Sequence, residues 1–154
     1  MKTNYKEEMI GILIEINRLL TEHLKIQKSI FNPTLRAKIT IPFITKKIDF
    51  EGLYEANKKI QDELYRTIRR MHNDKKELNV DPFIYGGIKD YGLLFNASSE
   101  KLTQIAYELH QKSTKQSKIT DEEYDQLINE YQMFENFRMQ KGSIIQKIAG
   151  MLAQ

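Results

Sequence analysis

The sequence predicts an all-α fold, an elongated antiparallel bundle of three to four long helices forming a single domain over residues 1–154. Three observations carry that expectation. Apolar residues between 9 and 31 recur at alternating steps of three and four. A second, narrower stripe of the same kind runs from Leu53 to Met71. Thr120 followed by Glu123 makes a capping box, the start signal of a further helix. With 154 residues the chain is long enough to bury a core without covalent staples.

The first helix is the most apolar stretch, MIGILIEINRLLTEHLKIQKSIF. Met9, Ile12, Ile16, Leu19, His23, Ile26 and Ile30 form its seam, and Ile10, Leu13, Leu20, Leu24 and Phe31 widen it. Ile10, Ile12, Ile14 and Ile16 also alternate as in a strand, but the helical pattern outlasts the ~10 residues that strands seldom exceed. Around Met9–Ile16 the segment is apolar almost all round. It must therefore be covered on several sides, by neighbouring helices or by a second copy of the chain.

Asn32-Pro33 stops this helix. Residues 32–48 lack a helical period and read as an irregular crossover, extended around Ile39, Ile41, Phe43 and Ile44. The second helix begins near Asp49 as N-cap and carries Leu53, Ala56, Ile60, Leu64, Ile68 and Met71 inward, ending near Leu78–Asn79 before Asp81-Pro82. Residues 80–96 combine aromatics with glycine. They read either as a Gly/aromatic loop with a short hairpin turning at Gly86-Gly87, or as a short helix over Ile88–Phe95. A third helix is expected from Ser98 or Ser99, with Leu102, Ile105, Ala106 and Leu109 inward. The fourth starts at Thr120 and buries Tyr124, Leu127, Ile128, Tyr131 and Phe134. Gly142-Ser143 is a candidate kink, and residues 143–154 a possible C-terminal helical extension used in association.

Composition bounds the chemistry. The chain has no cysteine, which excludes disulfides, a thiol nucleophile and thiolate metal sites and fits a reducing, cytoplasmic setting. No apolar run is long enough to predict a membrane span. Abundant isoleucine, lysine and asparagine suggest an AT-rich gene of bacterial or phage origin. Net charge is +3 and unevenly spread: residues 32–78 carry 11 basic and 7 acidic side chains, residues 120–154 carry 3 and 6.

Reactive constellations are scarce. His23, His72 and His110 show neither the i, i+4 spacing of a helical zinc pair nor a glutamate three residues before. Asp121, Glu122, Glu123 and Asp125 belong at the positive end of a helix dipole. Gly86-Gly87 and Gly92 lack the Gly-Lys-Ser/Thr ending of a phosphate loop. No catalytic residue, cofactor or metal is therefore expected.

One short stretch has a family likeness. Arg66-Thr67-Ile68-Arg69-Arg70-Met71-His72 resembles the Arg-x(4–6)-His motif of HEPN-type ribonucleases, small all-helical dimers in which the pairs of two subunits meet to cleave RNA. The family favours a polar residue such as asparagine after the arginine, and Thr67 stands there. The resemblance implies an alternative function, nucleic-acid binding or RNA cleavage through Arg66, Arg69, Arg70 and His72 on a basic second helix.

The functional expectation that follows is a non-catalytic protein–protein interaction protein, an adaptor, chaperone or inhibitor, that also self-associates as a homo-oligomer. The candidate contacts to the other protein are Phe83, Ile84, Tyr85, Tyr91 and Phe95 in the 80–96 segment and Ile144, Ile145, Ile148 and Leu152 at the end of the chain.

Overall fold

The computed structural model describes residues 4–31 and 48–154. Among them there are four helices and no strand: α1 (Tyr5–Phe31), α2 (Phe50–Leu78), α3 (Pro82–Ser113) and α4 (Asp121–Leu152). Each packs antiparallel to the one before. Arg18 of α1 meets Glu63 of α2, and Glu8 meets Arg70. Tyr54 of α2 lies by Tyr107 of α3, whereas His72 reaches Tyr85. Tyr91 of α3 bonds Arg138 of α4, and Lys101 pairs with Glu130. The all-α bundle expected from the periodicity is the observed fold, and no helix among the described residues is long and apolar enough to cross a membrane.

Local chemistry sets the helix boundaries. Asp49 accepts a hydrogen bond from the Gly52 N–H at 2.9 Å and caps α2. Asn79, at φ 52°, ends α2 in the left-handed region that asparagine tolerates. At the start of α4 the Thr120 hydroxyl accepts from the Glu123 N–H at 3.1 Å and donates to the Glu123 carboxylate at 3.0 Å.

The 80–96 segment corrects the sequence reading. It is neither loop nor hairpin but the first half of α3, a single 32-residue helix. Asp81-Pro82 opens this helix in addition to closing the previous one. The Asp81 carboxylate accepts from the Phe83 and Ile84 N–H groups (2.8 and 3.3 Å), and proline is favoured in the first turn. Two of its glycines serve close packing. A Cβ on Gly87 would stand 2.3 Å from Ile148 Cδ1 of α4, and one on Gly92 would stand 3.1 Å from two Ile68 side-chain carbons of α2. Ser98 and Ser99, expected as caps, lie buried in mid-helix. α4 likewise runs through Gly142-Ser143 as one helix, and Ile148 and Leu152 are buried against the rest of the bundle. The expected crossover lies outside the described residues, except for Ile48.

The core is one apolar cluster to which all four helices contribute, with the predicted seam of α1 buried throughout. α1 packs chiefly on α2 and touches α3 and α4 more lightly. Among the described residues its opposite face therefore stays open. Ile14 is 65 % exposed, and Ile10 and Leu24 are 37 % and 38 % exposed.

Candidate functional site

The most polar place inside the bundle is a cluster of side chains from α1, α3 and α4 around Glu135. Periodicity explains why it is internal. Leu127, Tyr131, Glu135 and Arg138 follow one another at steps of four, four and three, so a carboxylate and a guanidinium occupy core-facing positions of α4. His23 takes the corresponding place in the seam of α1. Burying any of these groups alone would be costly, and each is paired.

Glu135 uses both carboxylate oxygens fully. Oε1 faces His23 Nε2 at 2.6 Å and accepts from the Ser98 hydroxyl at 2.9 Å. Oε2 accepts from Arg138 Nε at 3.0 Å and from Arg138 Nη2. Arg138 Nη1 donates onward to the Tyr91 hydroxyl at 3.0 Å. Because a carboxylate only accepts, His23 Nε2 carries the hydrogen of its bond to Glu135. The Tyr131 hydroxyl lies 3.3 Å from the same nitrogen, and the Phe95 ring meets the imidazole edge-on at 5.2 Å. His23 Nδ1 is buried with no hydrogen-bond partner among the described residues.

The electrostatics follow from the pairing. Burial by itself pushes the Glu135 carboxyl up. The hydrogen bonds from His23 and Arg138, with their charges, overcome it and hold the group down at about 2. Arg138 is likewise opposed by burial and raised on balance by its bonds to Glu135. Burial, and then the nearby Glu135 charge, push the Tyr131 phenol up.

Serine, histidine and glutamate side by side suggest nucleophilic catalysis, but the wiring is wrong for it. A nucleophile must hand its proton to the base. Here the Ser98 hydroxyl donates to Glu135 and to the Phe95 carbonyl, not to His23. His23, Ser98, Glu135 and Arg138 are all at most 6 % exposed. A groove of about 720 Å³ opens beside the cluster at the α1–α4 junction, lined by Leu24, Gln27, Lys28, Phe31, Tyr131 and Gln132. Among the described residues Tyr131 is the cluster member on that wall, and the Phe31 ring stacks on it at 5.8 Å. The arrangement fastens three helices together and keeps His23, Ser98, Glu135 and Arg138 out of solvent, the unbonded His23 Nδ1 included. Among the described residues no group of three or more His, Asp or Glu side chains is placed to hold a metal ion.

The residues singled out in the sequence are scattered. Ile84, Tyr85, Tyr91, Phe95, Ile148 and Leu152 are core residues of this same chain, and Ile144 and Ile145 are partly buried against that core. Of the proposed contacts to another protein, Phe83 alone is well exposed, at 47 %, with Lys147 Nζ 5.7 Å from its ring. The physical reason is the helix from Pro82, which turns alternate faces of that aromatic run into the bundle.

On α2, Arg66 and Arg69 are exposed with no partner among the described residues, Arg70 lies 3.8 Å from Glu8, and His72 Nδ1 is engaged by the Tyr85 hydroxyl at 2.9 Å. Six residues apart, Arg66 and His72 project about 120° from each other around the helix, so one chain does not bring them together. Comparison with protein-family models, with curated proteins and with solved structures finds no match to this chain.

Proposed function

We propose that this chain is a non-catalytic protein–protein interaction protein, an adaptor, chaperone or inhibitor, which engages its partner through the outer face of α1. The observation that carries this reading is the exposure of Ile14, with Ile10 and Leu24 on the same face of α1. Surface helices ordinarily turn charged or polar residues to water there. The pairing around Glu135 supports the same reading, since both carboxylate oxygens are spent on His23, Ser98 and Arg138 and the cluster is buried.

The reading is tested with a photoreactive residue in place of Ile14, in an extract of the source cells. It should capture protein adducts, whereas the same residue in place of Asp62, on the exposed polar side of α2, should capture none. Equal capture from both positions, or none from position 14, overturns it.

A second reading, nucleic-acid binding, has one specific observation in its favour. Tyr65 is 61 % exposed beside Arg66 and Arg69, an aromatic next to two guanidinium groups that have no partner among the described residues. It predicts single-stranded RNA binding that weakens steeply with salt and falls about tenfold in Arg66→Ala/Arg69→Ala. Affinity that ignores both salt and substitution rules it out.

A further inference from the structure

We propose that the outer face of α1 is a homodimer seam, in which the α1 helices of two copies pair antiparallel about a two-fold axis at Asn17. This rests on the interaction reading above and names the partner as a second copy of this chain.

α1 carries two rows of residues at alternating steps of three and four. The first is the buried seam, Met9 through Ile30. The second is offset from it by two positions and consists of Glu7, Ile10, Ile14, Asn17, Thr21, Leu24 and Lys28. Every member of this second row is exposed. Steps that average 3.5 residues keep one face of a helix against another helix along its whole length. The bundle already uses one such row, and the second has no counterpart among the described residues of the same chain.

The second row is centred on Asn17, with an aliphatic residue seven positions to either side (Ile10 and Leu24), and its ends carry opposite charge. Antiparallel pairing with Asn17 on Asn17 sets Ile10 opposite Leu24 of the second copy, and brings Ile14 within one residue of Thr21 and Glu7 within one residue of Lys28, at both ends. Parallel pairing would instead set Glu7 against Glu7 and Lys28 against Lys28. The charges thus select both the occupant, another copy, and its direction, and the two helix dipoles oppose favourably in the same arrangement. An asparagine amide both donates and accepts, so two copies of it can bond across the axis and hold the register, as a lone asparagine does in coiled-coil seams. Arg18, next to the axis, does not spoil it. Its guanidinium is held toward α2 by Glu15 (2.6 Å) and Glu63 (2.7 Å).

The chain contains no cysteine, so an introduced thiol reports without background. In the full chain, Asn17→Cys should form a disulfide-linked dimer under mild oxidation about tenfold faster than Ile10→Cys, because only a residue on the axis lies within disulfide reach of its own copy. Sedimentation equilibrium should give about twice 18.2 kDa. Ile10→Glu/Ile14→Glu should return the mass to 18.2 kDa with an unchanged helical circular-dichroism spectrum. Glu7→Lys and Lys28→Glu should each weaken the dimer, and the two together should restore it. A single-chain mass of 18.2 kDa at about 100 µM, or a dimer in which Asn17→Cys links no faster than Ile10→Cys, overturns the proposal. If the chain is monomeric and a photoreactive group at position 14 still captures a different protein, the dimer fails and the interaction reading stands. A monomer that captures nothing removes both.

Discussion

Glu135→Ala should destabilise the fold by about 3–5 kcal/mol, because it leaves the buried Arg138 guanidinium without its counter-charge. At about 2–4 °C per kcal/mol for a chain of this size, the melting temperature should fall by roughly 6–20 °C. The mechanism is the stranding of partners. Arg138 Nε and Nη2 and His23 Nε2 lose their acceptor in one step, at positions that water does not reach, while the Ser98 hydroxyl keeps only the Phe95 carbonyl. Replacing the charged members together, as His23→Leu/Glu135→Leu/Arg138→Met, should recover most of the loss, since buried ionic groups swapped for apolar ones of similar volume are often neutral or better. A single variant as stable as the parent, by thermal or urea unfolding, would show that the pairing contributes nothing.

The same residue fixes the direction of an acid effect. Glu135 is held at about 2 in the folded chain, below its ordinary value of 4.5. A carboxyl lowered by folding stabilises fully above the ordinary value and loses that contribution as the folded value is approached from above. The parent protein should therefore lose stability steeply between about pH 4.5 and pH 2. The triple variant should show a flatter acid limb over that window.

Phe95→Ala should cost about 3–5 kcal/mol, the range for deleting a buried ring and leaving a cavity. Phe95 is wholly buried and packs its ring against the His23 imidazole, so the loss also removes one wall of the polar cluster. Phe83→Ala, twelve positions earlier in α3 and 47 % exposed, should change stability by no more than about 0.5 kcal/mol. The contrast distinguishes two roles for the aromatic run. An interface loop would lose affinity and keep its melting temperature on Phe95→Ala, whereas a core helix loses the melting temperature first.

Much of this architecture was legible in the chain. The first seam, Met9 to Ile30, was readable residue by residue because a helix with one face in a core repeats a simple period. Asp49 and Thr120 were readable as starts because capping chemistry is local. The 80–96 segment was misread because three glycines and a proline look like turn chemistry. In the folded chain Gly87 and Gly92 admit side chains of α4 and α2, and Pro82 begins a helix. Those uses depend on partners distant in sequence. Glu135 and Arg138 were missed although a signal existed: they continue the stripe of Leu127 and Tyr131. The histidine in the first seam was visible as well. That the two would meet required the relative placement of the first and last helices, which periodicity within one helix does not supply.

The pairing of His23 with Glu135 joins residues 112 positions apart, across nearly the whole chain. Hairpins of consecutive helices close shorter loops and should assemble earlier, whereas this contact needs the first and last helices together. Interactions made after the rate-limiting step act on the lifetime of the native state and leave the speed of its formation alone. The cluster would then work as a latch, and its loss would be felt chiefly as faster opening of the finished bundle.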